Sequence, residues 1–224
     1  MYLEIKNICK TIGSAEILKH INLEMERGKI YGLRGKNGSG KTMLMRTICG
    51  LILPTEGEIV IDGETLGKDI SFPRSIGALI ENPGFIADYS GMKNLEVLAS
   101  IQNHVKKEEI AACMEELGLD PNDKKKFKKY SLGMKQKLGI IAAVMENPDI
   151  IVLDEPLNAL DEKTVNTVKE ILLRHKARGA LIIISCHDRE ELEFLSDEIF
   201  CIEAGEITGS YTVGESQEAD EHAS

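Results

Sequence analysis

The segment Gly35-Lys36-Asn37-Gly38-Ser39-Gly40-Lys41-Thr42 constrains this chain more than any other. It satisfies G-x-x-x-x-G-K-[ST], a pattern whose glycines let the backbone curl until successive N–H groups point inward at phosphate oxygens. An apolar run over residues 29–33 precedes it, and a helical segment over 41–49, stopped by Gly50, follows. Chance places these fixed positions in roughly one chain in a hundred of this size, so the strand before and the helix after carry the inference. The helix N-terminus adds positive dipole character, Lys41 a point charge for the outer phosphates, and Thr42 a hydroxyl for Mg²⁺. Nucleotide contacts are expected from this loop and from Met43 beside it.

The rest of the chain supplies an α/β frame. Alternating or apolar runs predict strands over 2–8, 17–25, 29–33, 58–62, 149–153, 181–185 and 199–203. Between residues 91 and 117 the period becomes helical, through Leu95, Leu98, Ile101, Ile110, Met114 and Leu117, and further helices are expected over 133–146, 162–177 and 189–195. Strands separated by helices of this length imply βαβ units and a mostly parallel sheet. The middle helices, over 82–145, read as an insertion into a core made of 1–81 and 146–213. Residues 214–224 read as an acidic, disordered tail.

A second pair of chemical groups sits at a strand end. Ile150-Ile151-Val152-Leu153-Asp154-Glu155 is an apolar run closed by two carboxylates, and ligands of open α/β sheets bind at the carboxyl ends of strands. Asp154 is placed to hold Mg²⁺, and Glu155 to orient or deprotonate an attacking water.

Composition narrows the class. With 27 basic and 37 acidic side chains the formal charge is −10, which argues against a general nucleic-acid binder. The lysines between residues 124 and 129 read as a solvated face. No apolar run approaches the roughly 18 residues of a membrane span, and the first residues lack the apolar centre of a signal peptide. The five scattered cysteines, without a C-x-x-C pair, point to reduced structural thiols.

These motifs, with Tyr130-Ser131-Leu132-Gly133-Met134-Lys135-Gln136 between them, resemble the ATP-binding subunits of ABC transporters. The resemblance runs from Leu3 to about Thr212. It implies a P-loop NTPase core of the ABC ATPase kind, with a small antiparallel β subdomain and an inserted α-helical subdomain. It also implies a head-to-tail homodimer with ATP and Mg²⁺ at the interface, in which Ser131 and Gly133 contact the γ-phosphate held by the other subunit. Asn158-Ala159-Leu160-Asp161 looks like the family's D-loop, with Asp161 at the dimer interface, and His187 like its γ-phosphate-sensing histidine. ATP hydrolysis with Lys41, Glu155 and His187 as catalytic groups would then energise a separate membrane permease. The chain would sit in the cytoplasm, on the inner face of the membrane, without a nucleic-acid partner.

Three positions depart from the family majority. Glu81, in Ile76-Gly77-Ala78-Leu79-Ile80-Glu81-Asn82-Pro83, stands where a glutamine is usual. That string, with the Tyr-Ser-Leu-Gly signature, is similar to a subgroup handling bacitracin-like and lantibiotic peptides. Glu81 is expected to join Thr42 and Asp154 around Mg²⁺, with like-charge repulsion toward Glu155 unless a cation intervenes. Ile12 falls where an aromatic ring usually stacks on adenine, and Leu132 replaces a glycine. Two alternatives stay open at this point: a soluble ABC-type ATPase acting on DNA or ribosomes, and a nucleotide-dependent sensor with little turnover.

Overall fold

The computed structural model describes residues 1–81, 83–102 and 104–214; apart from Gly214, the expected acidic tail lies outside the described residues. Two sheets form. In the first, β1 (Leu3–Ile12), β2 (Ala15–Met25), β4 (Glu56–Ile61) and the two-residue β5 (Glu64–Thr65) are all antiparallel, in the order β2-β1-β4-β5. In the second, the order is β10-β9-β3-β8-β7-β6, built from β3 (Ile30–Arg34), β6 (Ile76–Leu79), β7 (Ile150–Asp154), β8 (Leu181–Ser185), β9 (Glu198–Glu203) and β10 (Glu206–Thr212). All its pairings are parallel except the β9–β10 hairpin. The helices are α1 (Lys41–Ile48), α2 (Gly91–Gln102), α3 (Lys107–Glu116), α4 (Leu132–Val144), α5 (Glu162–Ala177) and α6 (Arg189–Leu195).

The near-continuous apolar strands follow from burial on both faces. Ile150 and Val152 of β7 enter one core with Tyr31, Leu33, Ile183 and the antiparallel sheet, whereas Ile151 and Leu153 enter another with α4 and α5. The period of two in the pleat thus serves two layers from one strand. Tyr31 and Phe200 stack in the first core, with centroids 5.7 Å apart. In the chain, α2, α3 and α4 lie between β6 and β7, and they pack in the second core.

The expected strands and helices are present with small shifts at their ends, and three strands were missed. β10 has a largely exposed, Ser/Thr/Gly-containing sequence that hides its pairing with β9. β6 is short and holds a glycine, and β5 has only two residues. β1 runs on to Ile12 through register shifts against β2, which breaks the alternation that marks a strand in sequence.

Helix α5 carries a titration built into the fold. His175 is buried in its last turn, and burial together with the neighbouring Arg178 and Arg174 pushes its imidazole down from 6.5 to about 4. The unfolded chain therefore binds a proton that the folded chain refuses. Its contribution to stability is full above about pH 6.5 and is lost as pH falls toward 4. Thermal unfolding midpoints should drop across that window, and His175→Gln should flatten the drop.

Candidate active site

The glycine loop joins β3 to α1 at the centre of the parallel sheet. Gly40, the residue before α1, has φ +114°, a conformation that only glycine adopts at little cost. It leaves the first N–H groups of α1 free of side-chain caps. Lys41 Nζ donates to the carbonyls of Gly35 at 2.6 Å and Lys36 at 3.2 Å, so the loop is closed on its own lysine. The Ser39 hydroxyl is buried and has no partner within the described residues. A buried hydroxyl left unpaired beside a helix N-terminus without a side-chain cap fits an anionic oxygen.

The carboxylates come from the neighbouring strands. Asp154 ends β7 directly opposite Ser185, which ends β8. Thr42 Oγ1 donates to Asp154 Oδ2 at 2.6 Å, and the fully buried Ser185 Oγ donates to Oδ1 at 2.6 Å. A hydroxyl and a carboxylate side by side at the helix N-terminus are the hard oxygen donors that Mg²⁺ prefers. That ion commonly takes one or two protein carboxylates and completes its shell with phosphate and water. No group of three His, Cys, Asp or Glu suited to a metal occurs among the described residues.

Glu155, next along the chain, is held at every polar atom. Its N–H lies 3.0 Å from Ser185 Oγ, its carbonyl accepts from Gln136 Nε2 at 3.0 Å, and its two carboxylate oxygens meet Asn158 Nδ2 at 2.7 Å and His187 Nε2 at 2.8 Å. Sequence reasoning placed Glu155 and His187 here but missed Ser185, Gln136 and Asn158. Ser185 had a readable signal: a polar residue closing an apolar strand beside one closed by Asp154. The two amides stand inside the signature and D-loop strings, but nothing in those strings tells that they bond to Glu155.

A cavity of about 700 Å³ opens beside the loop and the two carboxylates, with Gly35, Lys36, Ser185 and His187 outside its lining; its size suits a small-molecule ligand. Its lining includes Gly38, Lys41, Thr42, Asp154 and Glu155, with Asn37, Ser39, Gly40, Met43, Arg46, Glu81 and Ile17. Glu81 brings its own cation: its carboxylate pairs with Arg46 at 2.7 Å. Arg46, a residue the sequence reading did not consider, thus sets a positive charge against Glu81 at the cavity wall.

Comparison with known proteins agrees with this geometry. The ABC transporter family model matches residues 18–158. The chain belongs to the ABC transporter family. YybJ of Bacillus subtilis, an uncharacterized ABC transporter ATP-binding protein, is 48% identical over 195 residues, 87% of this chain and 89% of the relative. The bacitracin transport ATP-binding protein BcrA of Enterococcus faecalis is 37% identical over 95% of this chain and 70% of its own length. The dimeric structure of MJ0796, a bacterial ABC transporter cassette, superposes with a TM-score of 0.85 at 26% identity. It covers 94% of this chain and 98% of that one.

The protein is therefore an ABC ATPase, and the remaining expected residues can be located on its cassette. Ser131 caps α4, accepting from the N–H of Met134 at 3.2 Å, and Gly133 follows in the first turn. Neither lines the cavity, although their neighbours Leu132 and Gln136 do. Asp161 caps α5 through the N–H of Thr164 at 2.9 Å, and these bonds hold its carboxyl below the usual aspartate range. Ile12 is half exposed at the end of β1 and does not line the cavity; Ile17, from β2, does. No helix among the described residues is long and apolar enough to cross a membrane.

Proposed function

We propose that this ABC ATPase works as a pair of identical cassettes, bound to a separate membrane permease, and that the transporter handles a peptide antibiotic of the bacitracin or lantibiotic kind. The carrying observation is the meeting of loop, Asp154 and Glu155 in one cavity, which is the arrangement phosphoryl transfer needs. The loop amides and Lys41 take the phosphates. Thr42 and Asp154, with Glu81 across the cavity, would hold Mg²⁺, which when bound supplies positive charge between the outer phosphates. Glu155 orients the attacking water and accepts its proton, and His187 steadies the carboxylate and faces the γ-phosphate. Ile12, an aliphatic surface, offers the adenine less than an aromatic ring would, by on the order of 1 kcal/mol.

The pairing is supported by the helix termini that the isolated cassette leaves outward. Ser131 and Gly133 at the start of α4 form an anion-binding end outside the chain's own cavity lining, suited to the nucleotide of a head-to-tail partner. Asp161 starts α5 nearby and would border the same interface. The permease follows from membrane transport being the family's business in a chain whose described helices do not span a bilayer. It would hold the cassette on the cytoplasmic face of the membrane. The peptide-antibiotic reading rests on Glu81 and on the similarity to BcrA.

A tagged chain purified from mildly solubilised native membranes should bring an integral membrane protein with it. Cells lacking the gene should become several-fold more sensitive to bacitracin or to a lantibiotic. Capture of a permease without any change in sensitivity would keep the transporter and remove the cargo.

A further inference from the structure

We propose that Asn158 is a positioning residue for Glu155. The inference rests on the reading of Glu155 as the residue that activates water, and deepens it. Glu155 has φ +52°, a left-handed conformation that glutamate rarely adopts and that persists only where the surroundings over-determine it. The chain turns sharply there through Pro156, and the N–H of Asn158 returns to the Glu155 carbonyl at 3.3 Å. The Asn158 side chain then folds over the same turn, and its Nδ2 donates to Glu155 Oε2 at 2.7 Å.

One residue therefore grips Glu155 at both its carbonyl and its carboxylate. His187 holds the other oxygen, so the plane of the carboxylate is fixed from two sides. A carboxylate offers about four acceptor sites, and these two bonds leave sites open for a water. A donor is needed at residue 158, and its reach matters. Aspartate would place like charge against Oε2, alanine would leave that oxygen free to swing, and serine is too short to span the turn. Asn158 also lines the cavity, so the bond lies where the reaction occurs.

The test is steady-state ATP hydrolysis by the full chain with nucleotide affinity measured separately, using a fluorescent ATP analogue. Asn158→Ala should lower kcat roughly 10- to 100-fold, as expected when a reacting group is misplaced by about 1 Å. KM, analogue affinity and unfolding midpoint should stay near wild type, with affinity within about twofold. Asn158→Asp, of nearly the same shape, should lose at least as much, whereas Asn158→Gln, which keeps a terminal amide, should recover part of the rate. A kcat within about twofold of wild type for Asn158→Ala overturns the proposal. So does a loss that tracks nucleotide affinity or unfolding, or an Asn158→Gln variant no faster than Asn158→Ala. Glu155→Gln, assayed alongside, separates the two readings. If it turns over like wild type, the role given to Glu155 fails; if it collapses while Asn158→Ala does not, only the role of Asn158 fails.

Discussion

Glu155→Gln is expected to lower ATP turnover by about 10²- to 10⁴-fold while leaving ATP binding intact. That range is what a positioned general base contributes. The substitution keeps the size of the side chain and one oxygen that can accept from Asn158 or His187, but removes the charge that takes a proton from water. Lys41, the loop amides and Thr42 lie on other elements, so affinity for ATP should change little. A preserved dissociation constant beside a collapsed kcat would assign an effect to the transition state alone. Because ATP would then be bound without being consumed, the variant should also accumulate as the closed pair, visible as a doubled mass in light scattering with ATP and absent with ADP. Equal rates for variant and wild type would remove Glu155 from the chemistry.

Gly77→Ala is expected to be the most damaging single methyl group in the molecule. Gly77 lies in β6, and a Cβ there would land on the main-chain carbonyl oxygen of Ala143 in α4, with Pro148 Cγ 3.0 Å away. A carbonyl in the last turn of a packed helix cannot rotate aside as a side chain can. Overpacking of this kind costs about 1–3 kcal/mol and occasionally more; with backbone as the obstacle we expect about 3 kcal/mol or above. That is a large part of a typical stability of about 5–15 kcal/mol. The urea midpoint should fall with little change in slope. Gly139→Ala, in the middle of α4, is the internal control. Its added methyl would meet Leu79 Cδ1 at 2.7 Å, the far end of a side chain that can turn, so its cost should be clearly smaller. Gly77→Ala should also slow turnover, because α4 carries Gln136 to the Glu155 carbonyl and β6 leads into Glu81.

The parts of the site legible in the sequence are those whose chemistry is contiguous along the chain. The glycine loop with Lys41 and Thr42 is one such stretch, and Asp154-Glu155 at the end of an apolar strand is another. Long-range partners were not legible. Arg46 and Glu81 meet because α1 faces the loop after β6, and nothing in either segment announces the pair. Gln136 reaches the Glu155 carbonyl from α4, nineteen residues back along the chain, a placement only the fold decides. The start of the first sheet shows a related limit: with register shifts between β1 and β2, the sequence pattern alone does not tell that Ile17 lines the cavity while Ile12 stays half exposed outside its lining. In the fold, the strands that escaped notice are an edge strand, a glycine-containing one and a two-residue one, where burial too incomplete or length too short leaves no periodic mark.

The lysine of the glycine loop carries one more implication. Lys41 is not a bare charge facing solvent, since two main-chain oxygens occupy two of its three N–H donors at 2.6 and 3.2 Å. The third donor is left for an anion, and a polyphosphate presents several charged oxygens to the lysine and the amides at once. The lysine thus ties the two ends of the loop together through its backbone before any ligand arrives, and holds it in shape for a group with contiguous phosphates.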